Sequence, residues 1–145
     1  MRKLLPIALL AMIVACKKNE DTRTSINYTG KWFISQTVSL QYYTETNGDT
    51  VYYRKDTTNY ADSTAYLNIR LTGYTTGVAA LYLAGSLDSV SYEYKTKEYF
   101  KLDSTLCVVG VVNDSTFNFN TLIYEGEVVP DKVLVTQDYF YMNRR

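Results

Sequence analysis

From Gly30 onward the chain alternates apolar and polar residues with a period of two, as strands with one covered face do. Gly30 to Tyr43 predicts a long first strand, with Trp32, Ile34, Val38, Leu40 and Tyr42 on one face. Asn47-Gly48-Asp49 predicts a hairpin turn, because Asn-Gly accepts the positive φ values that a type I′ turn demands. Thr50 to Thr58 then predicts the returning strand. Thr64 to Gly73 sets Ala65, Leu67, Ile69 and Leu71 against Tyr66, Asn68, Arg70 and Thr72. A one-residue slip there would bury Arg70, so the register is well determined.

Val78 to Ala84 is apolar on both faces and predicts a centrally covered strand. Val90, Tyr92 and Tyr94 resume the alternation, which runs on to Leu102 as one strand or as two with a kink near Thr96. Thr105 to Val112 is again apolar, and Asn113-Asp114 turns it into Ser115 to Tyr124, where Phe117 and Phe119 share a face. Glu125-Gly126 predicts another turn, and Pro130, which cannot donate to a ladder, predicts an edge or bulge. Lys132 to Asn143 is the last strand, with Val133, Val135, Tyr139 and Tyr141 on one face. The sum is an all-β antiparallel up-and-down meander of about eight strands. Such a meander closes into a barrel or half-barrel; the alternative is a β-sandwich.

Composition supports the class. The 15 Tyr all follow residue 15 and stand among many Thr and Val, residues that fit a pleated surface with one wet face. The pairs Tyr92/Tyr94 and Tyr139/Tyr141, with Tyr42-Tyr43 and Tyr52-Tyr53, offer broad contact area with a polar tip. Tyr92 and Tyr94 are the binding face expected from this pattern, suited to a glycan or an envelope protein. The competing reading packs such rings against one another across strands.

The first residues, MRKLLPIALLAMIVAC, carry a different signal. Arg2 and Lys3 precede an apolar run, Leu4 to Val14, too short to span a bilayer, which takes roughly 20 residues. This is a secretory leader, and Ile13-Val14-Ala15-Cys16 resembles the lipobox of bacterial lipoproteins. The resemblance implies a signal peptide at 1–15, cleavage after Ala15 and lipidation of Cys16 with palmitate-type acyl chains. Two or three chains hold a protein on a membrane where one does so only marginally. The expected localisation is the bacterial cell envelope, lipid-anchored in the outer membrane. Lys17-Lys18-Asn19-Glu20-Asp21 resembles lysine-plus-acid signals that send lipoproteins to the cell surface. Residues 16–27 have no apolar period and form a flexible tether, leaving 28–145 as one domain.

Charge and chemistry narrow the function. The chain has 15 Lys and Arg against 15 Asp and Glu, and without Arg2 and Lys3 the balance is 13 against 15. With no basic stripe, nucleic acid is not an expected partner. With no histidine, Ser-His-Asp and Cys-His catalysis and histidine-based metal sites are excluded. Glu125 and Glu127 flank Gly126 and could share a face, yet they read as decoration of a hairpin turn. Cys107, inside Leu106-Cys107-Val108-Val109, reads as a small buried hydrophobe. The chain is therefore expected to be neither an enzyme nor a holder of any cofactor or metal.

Gly30-Lys31-Trp32 opens the first strand directly after the tether. It resembles the Gly-x-Trp motif of lipocalins, whose Trp closes the base of an eight-stranded up-and-down barrel. The resemblance implies a structural motif of Gly30, Trp32 and Arg144, the arginine (or its neighbour Arg145) packing over the indole by cation–π contact. Asp138-Tyr139 is similar to part of the Thr-Asp-Tyr element of lipocalins, though it falls in the last strand. The function implied is non-catalytic binding of a small apolar or amphipathic ligand in the barrel mouth. The alternative is a β-sandwich accessory module that binds protein or glycan at the envelope.

Overall fold

The computed structural model describes residues 28–45, 48–129 and 132–145, with backbone alone for 125–129. The leader 1–15, Cys16, the tether to residue 27, Asn47 and Pro130 lie outside the described residues. All regular elements among the described residues are strands: β1 (Gly30–Glu45), β2 (Thr50–Asn59), β3 (Tyr66–Leu71), β4 (Thr76–Leu83), β5 (Ser86–Tyr94), β6 (Tyr99–Leu102), β7 (Thr105–Val112), β8 (Thr116–Val129) and β9 (Lys132–Asn143). Successive strands pair antiparallel in the order β2-β1-β3-β4-β5-β6-β7-β8-β9, and β1 also pairs with β9. That last pairing closes β1 and β3 to β9 into an eight-stranded barrel of lipocalin-like form, with β2 as an extra strand outside the ring. A single closed sheet is not two packed ones, so the β-sandwich alternative falls.

The break expected near Thr96 is a full turn. Thr96 N–H donates to Tyr99 O at 2.9 Å, separating β5 from β6. Val78 to Ala84 is corrected: β4 is covered on one face only, because a single-walled barrel leaves the other face to solvent. Ala79 is fully buried inside, while Val78 is 38% exposed outside.

β1 serves two neighbours along one edge. Gly30 to Phe33 pairs with β3, and Gln36 to Thr44 pairs with β2, while the other edge runs along β9. The change of partner coincides with a bulge between Ile34 and Gln36. An extra residue in one strand of a pair reverses which face the following side chains take. Trp32 and Ile34 therefore point into the barrel, whereas Val38, Leu40 and Tyr42 point out, not onto one common face as the alternation suggested. The same register puts Val133, Val135, Tyr139 and Tyr141 of β9 outside, leaving Phe140 and Met142 to the interior.

The core is one cluster inside the ring, with Trp32, Tyr28, Phe100, Phe117, Leu67 and Ile69 its largest fully buried side chains. Strand lengths shape the two ends. β1, β8 and β9 have 16, 14 and 12 residues against four in β6, so they run past the ring as an apron, with β2 on its edge. Trp32 is 0% exposed. Replacing it with Ala should cost about 3–5 kcal/mol through lost burial and the cavity left behind. Urea unfolding of Trp32→Ala beside the parent checks this, and an unchanged midpoint would show that the indole does not hold the barrel.

Candidate functional site

The end of the barrel where β1 begins is sealed. Trp32 Nε1–H donates to Tyr28 O at 2.9 Å, and its ring meets Phe117 edge-on at 5.3 Å between centroids. The Arg144 guanidinium lies over the indole, 4.1 Å from Cζ to the ring centroid, and donates to Thr29 O at 2.5 Å. Gly30 has φ +97°, a conformation that side chains rarely adopt, and a Cβ there would come within 3.6 Å of Arg144 Nη2. So Gly30, Trp32 and Arg144 are brought together at the base. Arg145 goes elsewhere, onto the Phe33 ring at 5.3 Å and into an ion pair with Asp62.

Tyr28 is the plug that sequence reasoning missed. Its ring sits 5.0 Å from Phe117, 5.7 Å from Phe100 and 5.9 Å from Tyr94, and its hydroxyl donates to Lys97 O at 2.7 Å. The N-terminal segment is thereby tied across the base to the β5–β6 turn. The available signal was an aromatic two residues ahead of Gly30, at the first position after the tether. Burial, with the nearby Tyr94 hydroxyl second, pushes the Tyr28 phenol up to about 12.

The binding face expected at Tyr92 and Tyr94 is corrected. Tyr92 is 3% exposed and packs on Phe100 at 5.8 Å inside the barrel; Tyr94 is half-buried against Tyr28. Both fall on the inward parity of β5, where Ala79 and Phe100 need covering. Cross-strand packing accounts for these rings. Burial also raises the Tyr92 phenol strongly, and it pushes the Cys107 thiol up to about 12, an inert sulfur in the core. The side chains of Glu125 and Glu127 lie outside the described residues.

The opposite end is built differently. Above the aromatic floor the inner wall carries half-buried Leu81, Leu83, Leu102 and Phe140, all packed on the core. Pairing of Phe140 with Thr37, and of Asp138 with Ser39 and Thr121, places hydroxyls and one carboxylate on the same inner face. Thr37 Oγ1 lies 3.4 Å from the hydroxyl of Tyr60, which also packs on the core. The mouth is thus an apolar wall with a short polar arc, whereas the base is solid. An eight-stranded ring is just wide enough for side chains to fill it or for one small ligand.

No protein-family model matches this chain, and no curated protein matches it either.

The raised phenols predict an alkaline limit. Protons held more tightly in the folded chain than in the unfolded one stabilise it fully below pH 10, the ordinary tyrosine value, and this is lost toward pH 12. Urea midpoints should fall steeply over that window, and the fall should be shallower in Tyr28→Phe. A phenolate absorbance that appears for every tyrosine before any loss of near-UV dichroism would contradict the buried plug.

Proposed function

We propose that this chain is a lipid-anchored envelope protein whose lipocalin-like barrel binds a small apolar or amphipathic molecule, without catalysis, through its mouth. The observation that carries the reading is the asymmetry of the barrel interior. Tyr28, Trp32, Phe100 and Phe117 fill the base completely, while Leu81, Leu83 and Leu102 are only half covered at the other end. Half-covered aliphatic positions gain about 0.8 kcal/mol for each ligand CH₂ they bury. The polar arc of Thr37, Ser39, Thr121 and Asp138 suits a hydroxyl or amine at the ligand's wet end. The lipobox-like Ile13-Val14-Ala15-Cys16 supports the anchor, which keeps the domain at the envelope and places the membrane among its partners.

Native mass spectrometry of residues 19–145, purified without detergent, tests the binding. An added mass of a few hundred daltons, lost on gentle denaturation, is expected; a bare chain that also fails to take up fatty acid would overturn it. The anchor has its own test. Cys16→Ser should abolish labelling by radioactive palmitate and move the protein from the membrane to the soluble fraction. Labelling that persists in that variant would place the lipid at another residue, and no labelling of the parent chain would overturn the anchor.

A further inference from the structure

The outside of the barrel wall formed by β8, β9 and β1 carries a second cluster that the core does not include. Val135 is 1% exposed yet stands apart from the interior cluster, pointing outward between Tyr42 of β1 and Tyr124 of β8. Tyr42 packs on Tyr52 at 5.7 Å between centroids. The Tyr42 phenol is raised first by burial, then by the Tyr124, Tyr139 and Tyr52 hydroxyls around it. Burial likewise raises that of Tyr139, with Tyr141 and Tyr52 contributing. Five tyrosines thus share one outer face, and Tyr52 and Tyr124 remain 68% and 66% exposed.

Beside Tyr139 and Tyr141 this face is indented. A groove of about 220 Å³ runs between those rings, Asn118, Asn120 and the β7 residue Gly110. It opens where β7 bulges between Val109 and Val111 and carries no side chain at Gly110. The amides along the groove are already oriented. Asn118 Oδ1 accepts from Met142 N–H at 3.3 Å, and Asn120 Oδ1 accepts from Gln137 Nε2 at 3.0 Å. Asn120 Nδ2 donates to Val108 O at 3.5 Å, which fixes that amide's direction as well. Every outer position from Gln36 to Thr44 in β1, Asn118 to Tyr124 in β8 and Val133 to Tyr141 in β9 is uncharged; Lys55 of β2, opposite Leu40, lies at the margin.

We propose that this outer face binds a neutral oligosaccharide, with one sugar ring in the Gly110 groove and the rest of the chain along the tyrosines. Aromatic faces take the apolar side of a pyranose, and amides offer the paired donor and acceptor that vicinal hydroxyls require. The absence of charge argues against phosphorylated or acidic ligands, which call for Arg or Lys. The site lies on the opposite side of the wall from the barrel interior, so it does not depend on a ligand in the mouth.

The test is calorimetric titration of the full-length chain with maltohexaose, cellohexaose, xylohexaose and mannohexaose, and with polygalacturonate as an acidic control. At least one neutral hexasaccharide should bind, equally at low and high salt. Tyr139→Ala with Tyr141→Ala should weaken it at least tenfold. So should Gly110→Gln, because Gly110 has no positive φ and a Cβ there meets nothing closer than 3.7 Å, so the variant fills the groove without straining the strand. Binding that survives both variants, a preference for polygalacturonate, or no heat with any neutral probe would overturn the proposal. So would a protein partner lost with Tyr139 and Tyr141 while none of the sugars binds.

Discussion

The fold depends on one extra residue. At the bulge between Ile34 and Gln36, β1 changes its face and, along one edge, its partner. Before it, Trp32 and Ile34 belong to the interior and β3 is the neighbour. After it, Val38, Leu40 and Tyr42 belong to the outer wall, and β2 has taken over that edge. Without the bulge, the aliphatic run would continue into the lumen and crowd Phe119 and Phe140, whose rings already stack at 4.7 Å. A single inserted residue thus keeps the barrel from overfilling and supplies the outer face with its apolar floor.

The two ends of the barrel follow from where bulk is spent. Tyr28, Trp32, Phe100 and Phe117 contact one another in tilted and edge-on pairs, geometries that aromatic quadrupoles favour. Arg144 then covers the outer side of Trp32, satisfying Thr29 O with the same guanidinium. Bulk of that kind leaves no lumen at the base. Toward the other end Leu81, Leu83, Leu102 and Phe140 are only partly buried on the inner face, so the cover is thinner there.

Much of this was legible in the sequence, and each miss has a physical reason. Strands such as Tyr66–Leu71 and Lys132–Asn143 match their apolar alternation because period-two patterning reports the pleat directly. Gly30 and Trp32 stood out because Gly30-Lys31-Trp32 resembles the Gly-x-Trp entry of lipocalins, and the positive φ of Gly30 emerged only in the structure. What alternation cannot report is a bulge, since an inserted residue such as Ser35 leaves no compositional mark. Nor does a tyrosine's two-sided character settle its face: Tyr92 and Tyr94 read as an exposed pair because a phenol suits a wet surface, although Ser91 and Glu93 on the opposite face of β5 already pointed them inward.

β9 shows how one strand serves two environments without conflict. Phe140 and Met142 face a core where neither can be replaced without leaving a void. Tyr139 and Tyr141, one pleat apart, face a wall where the ring is held by neighbours and the hydroxyl meets water. Val135, only 1% exposed on the outer side, shows that this wall is partly dry despite being external. A barrel that needed only solubility would favour charge on that surface, as its other exposed strands do at Arg54, Lys55 and Asp56. Keeping three adjacent strands uncharged over most of their length exposes apolar area to water at a standing cost in solubility, and occupancy by an uncharged ligand is what would offset it.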